Sequence, residues 1–339
     1  ELLREKKDRV AAGAPESEAY VSGQELCEQF GVSRTAVWKA IGQLKKEGYV
    51  IEAVQNRGYR LLDQTEEVYN QADIQSRLKT KWVAHPLLFF DSIDSTNIRA
   101  KLEAEQGAES GLLVVSDMQS AGRGRRGRGW ESPAGINIYY TLMLKPDFSS
   151  DCAPMLTLVM ALAVAKGIRQ TLRRDSEEAA AKVGIKWPND IVVDGKKVCG
   201  ILTEMSMEQG YIQHIVIGVG INVRKQEFPE EIRDRATAID EQCGFRISRS
   251  QLIADIMEAF EEDYEIFLRT HDLKGLRASY AELLVNQDRE VCVLDPKGEY
   301  RGIARGINDQ GELLVERQDG TVEEVYAGEV SVRGIYGYV

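Results

Sequence analysis

At 339 residues, 43% apolar and 29% charged, the chain has the length for two or three domains and the composition of a globular protein. Its net charge of -11 is unevenly placed: residues 1–64 carry 10 Lys+Arg against 10 Asp+Glu, and the remaining 275 carry 33 against 44. An acidic body with a neutral head argues against wholesale coating of nucleic acid, yet leaves room for one local contact surface.

Cys27, Cys152, Cys199, Cys243 and Cys292 are scattered and never in C-x-x-C spacing. That argues against a disulfide framework or a zinc site and for a reducing, cytoplasmic setting. His85, His214 and His271 are too far apart in sequence to suggest a His-based metal site or a Ser/His/Asp triad. The longest apolar run, Ala153–Ala165, stops at Lys166, short of the roughly 20 residues a bilayer crossing needs. No signal-peptide pattern is visible, so no membrane partner is expected. The chain begins at Glu1 rather than Met, which points to a start further upstream.

Residues 1–64 read as helices followed by a hairpin. Ser22 precedes Gly23–Phe30 as an N-cap, Gly31-Val32-Ser33 forms a tight turn, and Arg34–Glu47 carries Val37, Ile41 and Leu44 on one face. Tyr49–Val54 and Gly58–Leu62 then pair across Gln55–Gly58. This is the plan of a winged helix-turn-helix, with Ser33, Arg34, Thr35, Trp38, Lys39 and Arg57 as candidate DNA contacts. A helical module that binds protein is the alternative. Residues 63–72 read as a polar linker.

Strands are expected at Leu87–Phe90, Leu112–Met118 and Ile136–Leu144. Between the first two, Asp94-Ser95-Thr96-Asn97 opens a helix over Ile98–Gln106. Ser95 or Thr96 suits an ordinary N-cap, and also a site for a urea- or amide-like group.

From Gln119 to Trp130 the chain reads Q-S-A-G-R-G-R-R-G-R-G-W. Glycine costs a helix interior roughly 1 kcal/mol relative to alanine, and strand alternation is missing. A cationic loop remains, expected to stay open without an anion because four arginines repel one another. Arg/Gly segments are also found as disordered nucleic-acid contacts. This one is short, mid-chain and tethered by strands, which favours a ligand lid.

Ala153–Arg174 reads as a helix over the sheet, Ser176–Ala181 as a charged connection, and Val183–Met205 as a hairpin turning at Asp194-Gly195. Pro188 bends Trp187–Asp190 and aims Asn189 and Asp190; Trp187 reads as core, and Lys197 alone as a solvated hairpin lysine. Tyr211–Val223 is a strand with Gly218 and Gly220, Ser250–Leu268 a helix, and residues from Arg289 a small antiparallel barrel.

Five motifs in this order, Asp94–Asn97, Gln119–Arg128, Lys186–Asp190, Lys197–Glu204 and Gly218–Asn222, resemble the bifunctional biotin–protein ligases that double as biotin-operon repressors, over essentially the whole chain. The resemblance implies an α/β multi-domain protein: a winged helix (1–64), an α+β, class II synthetase-like catalytic domain with a mixed sheet (65–286), and an SH3-like barrel (287–339). It implies that Ser95, Thr96, Asn97, Gln119, Arg123, Gly124, Arg125, Lys197 and Gly200 bind biotin. Arg126, Arg128, Trp130, Asn189, Asn222, Glu329 and Arg333 would serve ATP, and Arg125, Lys197 and Asp190 the chemistry. Mg²⁺ would accompany ATP, with no dedicated protein metal site. The implied partners are a biotin carboxyl carrier protein of acetyl-CoA carboxylase, operator DNA and a second copy of the chain in a ligand-dependent homodimer. Tyr326 ahead of Ala327-Gly328-Glu329, and the extension Gly334–Val339, depart from the family pattern. Two alternatives stand beside this reading: a lipoate–protein ligase, and a metabolite-sensing repressor without ligase activity.

Overall fold

The computed structural model describes residues 2–62, 67–294 and 298–326, and the backbone of 331–334. It divides into two compact units, one ending at Arg77 and the other starting at Leu78.

In the first unit α1 (Leu2–Ala11), α2 (Gly23–Phe30) and α3 (Arg34–Lys46) precede the hairpin of β1 (Ile51–Val54) and β2 (Gly58–Leu61). Ser22 and Ser33 accept from the backbone N–H groups of Glu25 and Ala36 and so cap α2 and α3. Leu26, Val37, Ile41 and Ile51 close on Val21 and Tyr49 as the core. Val21 and Tyr59 exchange both backbone hydrogen bonds at 2.9 Å, which fastens the hairpin to the segment before α2. This contact demands glycine next door: a Cβ on Gly58 would lie 2.1 Å from the Val21 carbonyl oxygen, and φ there is +112°. The unit continues through α4 (Gln71–Gln75), where Asp73 pairs with Arg4 and Arg77, so it runs past the stretch expected to be a linker.

The second unit is built on a seven-stranded sheet. Its chain order is β3 (Leu87–Phe90), α5 (Thr96–Glu105), β4 (Leu113–Ser116), β5 (Ile138–Leu144), α6 (Met155–Arg173), α7 (Glu177–Ala181), β6 (Val183–Lys186), β7 (Asp190–Val193), β8 (Lys196–Glu208) and β9 (Tyr211–Ile221). The strands lie in the order β3-β4-β5-β9-β8-β7-β6; β3 and β4 are parallel and every other pair antiparallel, which makes the sheet mixed. Side chains alternate across it. Met143 and Val216 pack with Ala100 and Ala104 of α5, whereas the Tyr140 hydroxyl reaches Met160 of α6. Helix α5 therefore covers one face and α6 the other.

Helix α6 pairs with the later helix α9, which follows α8 (Ile239–Cys243) and spans Arg249–Phe267. The segment Ser150–Arg173 is long and apolar enough to cross a membrane by composition alone, but 72% of its apolar window is buried inside the protein. Burial by α9 and the sheet, more than the length of the apolar run, accounts for its hydropathy. The stretch expected as a charged surface connection contains α7: Ser176 caps it, and its Ala179 and Ala180 are buried. After α10 (Arg277–Leu283), strands β10 (Glu290–Leu294), β11 (Tyr300–Ile307), β12 (Leu313–Glu316), β13 (Val322–Val325) and β14 (Ser331–Gly334) form an antiparallel sheet in the order β13-β12-β11-β10-β14. Trp187, 1% exposed, donates its indole N–H to the Gly311 carbonyl at 3.0 Å and ties this sheet to the central one.

Gly58→Ala is expected to destabilise the first unit by more than about 1 kcal/mol, because alanine is strained at positive φ and strikes Val21. Differential scanning calorimetry of the full chain would show it as one transition lowered by at least about 4 °C, with the other unmoved.

Candidate functional site

The site lies on the α5 face of the sheet, where side chains are missing. Gly200 and Gly220 are register partners on β8 and β9, and Gly218 sits opposite Thr141 of β5. A Cβ on Gly218 would come 2.1 Å from Asn97 Oδ1, and one on Gly220 2.5 Å from Trp130 Nε1. The bare backbone thus admits the start of α5 and the indole of Trp130 to the sheet.

Two cavities adjoin here, and these glycines floor the smaller one. A small one, about 60 Å³, is lined by Ser95, Thr96, Asn97, Arg123, Gly200 and neighbours. A larger one, about 670 Å³, is lined by Arg126, Arg128, Asn222, Gln226, Phe228, Arg235 and others. Gln119, Gly124, Arg125, Trp130, Asn189 and Lys197 line both. The residues expected to hold two ligands are therefore gathered around one wall.

At the small end Thr96 donates its backbone N–H to Gln119 Oε1 at 2.9 Å, and Gln119 Nε2 donates to Ser132 Oγ at 3.0 Å. Ser95 is the N-cap of α5 by position but makes no side-chain cap bond, so its hydroxyl is not spent on the helix.

The arginine stretch is more folded than its charge pattern predicts. Arg123 and Gly129 form a bridge, Arg125–Gly127 is a turn of 3₁₀ helix, and Gly124 N–H donates to Arg128 O at 2.7 Å. Arg126 holds φ +58°. Arg125 Nη1 donates to Asn189 Oδ1 at 2.8 Å, and Asn189 Nδ2 donates to Ile201 O at 3.1 Å. The open loop expected from charge repulsion is thus corrected: Asn189, the neighbouring carboxylate of Asp190 and internal backbone bonds give the cations a folded seat. Burial pulls the Arg125 guanidinium below its ordinary pKa, with Asp190 opposing and Arg126 adding to the effect.

Lys197 pairs with Asp190 at 2.5 Å, and its Nζ lies 5.5 Å from the centre of the Trp130 ring. It is no plain solvated hairpin lysine. The Trp130 Nε1 is buried against Gly220 with no acceptor among the described residues. Beneath, Cys199 is fully buried, and burial pushes its thiol far up, so it is not a nucleophile here.

Asn222 lines the larger cavity, but its Nδ2 donates to Thr237 O at 3.2 Å. Thr237 N–H in turn donates to Lys197 O, and Lys197 N–H to Arg235 O. Residues 226–236 therefore wall the larger cavity and are stitched to Lys197, a segment not singled out in the sequence. Its only signals are Pro229 and clustered charge, which read as an ordinary loop. Glu329 lies outside the described residues; Arg333 is described by backbone alone, paired with Cys292. Among the described residues no group of three His, Cys, Asp or Glu is placed to hold a metal ion.

In the first unit Arg34, Thr35, Trp38 and Lys39 are exposed at the start of α3, Trp38 to 69%. Ser33 caps that helix, Arg34 receives support from Gln24 at 3.1 Å, and Arg57 at the hairpin tip lies over the Tyr20 ring.

The Biotin/lipoate A/B protein ligase family matches residues 89–222, an HTH domain residues 16–60, and the Biotin protein ligase C terminal domain residues 288–333. Fold and site thus define a protein ligase of the biotin/lipoate class joined to a helix-turn-helix unit. Bifunctional ligase/repressor BirA of Bacillus spizizenii is 38% identical over 331 residues, covering 96% of this chain and 98% of the relative. The BirA of Escherichia coli is 32% identical, covering 92% of each. A solved biotin protein ligase from Aquifex aeolicus, in complex with biotin and ATP, superposes with a TM-score of 0.62 at 29% identity over 73% of this chain and 98% of that one. The chain belongs to the bifunctional biotin–protein ligase/repressor family.

Gly220→Ala drives a Cβ into Trp130 and is expected to cost roughly 1–3 kcal/mol as overpacking. Indole emission should shift to the red as the ring leaves the sheet; the same change in a Trp130→Phe background should leave emission unaltered.

Proposed function

We propose that the chain is an ATP-dependent biotin–protein ligase that makes biotinyl-5′-AMP, transfers biotin to a lysine of a biotin carboxyl carrier protein, and acts as a biotin-responsive repressor. The observation that carries the reading is the shared wall: Arg125, Lys197, Asn189 and Trp130 border both cavities. A reaction joining two anions needs its cations at such a junction.

The small cavity takes the biotin head beside Ser95, Thr96, Asn97 and Gln119, over Gly200. The valerate carboxylate points to Arg123, Gly124, Arg125 and Lys197. The larger cavity takes the nucleotide, with Arg126, Arg128, Asn222 and the 226–236 wall around it. Its wall carboxylates, Glu131, Asp190 and Glu227, are too few for a closed metal cage and fit an ion held mainly by phosphate oxygens and water. Mg²⁺ brought by the triphosphate would offset part of the phosphate charge beside these carboxylates. Glu329 and Arg333 complete the nucleotide assignment by resemblance.

One carboxylate oxygen of biotin attacks the α-phosphorus and pyrophosphate leaves. Arg125 and Lys197 face the negative charge that builds on the non-bridging oxygens, and their fixed positions avoid reorganisation at that moment. Asn189 holds Arg125, and Asp190 holds Lys197. The loop over the product keeps water from the mixed anhydride. The acceptor amine then attacks the acyl carbon and AMP leaves; Asp190 orients that amine.

For repression, α3 enters the major groove with Arg34, Thr35, Trp38 and Lys39, Ser33 starts the helix, and Arg57 touches phosphate from the wing. Two copies on a palindromic operator imply a dimer. Its surface is assigned to the outer half of β8: β7 pairs with β8 only as far as Gly200, while β8 runs on to Glu208. An edge with spare backbone donors and acceptors is suited to strand pairing with a second chain.

Biotin-dependent exchange of labelled pyrophosphate into ATP is the expected activity. Lipoate-dependent exchange would support the lipoate–protein ligase reading, and no exchange with either acid a repressor without ligase activity. Lys197→Met should lower the exchange rate roughly 10²–10³-fold, as loss of one oxyanion-type donor does. For the dimer, sedimentation with biotin and ATP should show a shift to twice the monomer mass. Met207→Lys, on the exposed outer half of β8, should prevent that shift and leave exchange intact. Wild-type protein remaining monomeric with both ligands would refute the dimer.

A further inference from the structure

One motif residue has no part in the chemistry above. Glu204, on the α5 face of β8 beyond Gly200, touches no expected ligand position. Its carboxylate accepts from Asn97 Nδ2 at 2.7 Å through one oxygen and from Lys101 Nζ at 2.8 Å through the other. Burial pushes this carboxyl up, but hydrogen bonds from Lys101 and Asn97, with the charges of Lys101 and Arg123, outweigh it and hold the group below its ordinary range. It is therefore an anion at neutral pH, and an ionised carboxylate only accepts.

That single constraint orders the hydrogens around the small cavity. The Asn97 amide must turn its NH₂ to Glu204, so Oδ1 faces Thr141. The Thr141 hydroxyl donates its one proton to Asn97 Oδ1 at 2.6 Å. The Thr141 and Thr96 hydroxyl oxygens lie 2.8 Å apart, and with the Thr141 proton committed, the proton between them is that of Thr96. Gln119 Oε1 accepts the Thr96 backbone N–H and lies 3.1 Å from the same Thr96 oxygen, a longer approach than the 2.8 Å to Thr141, so the single Thr96 proton goes to Thr141. Thr96 Oγ is then left facing the cavity as an acceptor without a proton to give.

We propose that Glu204 is a positioning residue that sets the donor–acceptor polarity of the head-group cavity, making Thr96 an obligate acceptor for a ligand N–H such as one of the cyclic urea. This rests on the biotin reading of that cavity. A neutral amide at position 204 presents a donor or an acceptor equally well and removes the constraint, with little change in shape.

The test is titration calorimetry and steady-state kinetics on the full chain. Glu204→Gln should raise the biotin dissociation constant and biotin KM roughly ten- to a hundredfold, the worth of a charge-assisted hydrogen-bond arrangement. The KM for ATP, kcat and the melting temperature should stay close to wild type. Thr141→Val, isosteric but unable to donate, should give the same split, and Thr141→Ser should restore binding. Because both changes act on one chain of bonds, the double variant Glu204→Gln/Thr141→Val should bind no worse than the weaker single variant. Biotin binding unchanged in Glu204→Gln, or losses that simply add, would overturn the proposal. Wild-type protein that fails to bind biotin would instead overturn the functional reading beneath it.

Discussion

The site depends on a patch of sheet with no side chains. At Gly200, Gly218 and Gly220 the strands β8 and β9 present bare backbone on the α5 face. Without that gap Asn97 could not reach the sheet, Trp130 could not lie against it, and the smaller cavity would lose its floor. The glycines carry no chemistry themselves. They leave open the floor of the smaller cavity, where Asn97 and Trp130 meet the sheet.

Around the gap, cations are placed by neutral and anionic partners with their own anchors. Asn189 is held by the backbone of Ile201 before it receives Arg125. Lys197 is pinned at Nζ by Asp190 and at its backbone by Arg235 and Thr237. Positive charge is thus concentrated in fixed geometries, and the segment walling the larger cavity is tied to the same lysine. The wall of the larger cavity and the Asp190 carboxylate are in this way linked through one residue.

Much of the fold was legible in the sequence because its signals are local. Ser22, Gly31 and Ser33 mark helix ends, Val37, Ile41 and Leu44 mark a buried face, and Gly58 marks a turn; each owes its role to neighbours a few residues away. The candidate biotin and ATP residues were legible through motifs, and the structure gathers those whose side chains it describes around two adjoining cavities. What escaped depends on distant partners. The seat of Arg125 is Asn189, sixty-four positions on, so charge repulsion alone predicted too open a loop. Residues 226–236 gain their importance from bonds to Lys197 that no pattern reveals. Helix α7 was hidden because its exposed glutamates outweigh two buried alanines.

The bond from Trp187 to Gly311 reaches further than core packing. Gly311 is wedged at positive φ against Leu158 of α6 and Leu273, where a Cβ would come within 2.9 Å of both. The tip of the C-terminal sheet is thereby a keystone set into the central domain, one residue from the bend that carries Asn189 and Asp190. Removing that sheet would not unplug an accessory. It would strip the cover from the Trp187 indole, next to the bend that carries Asn189 and Asp190, so the C-terminal sheet helps to hold the candidate site in place.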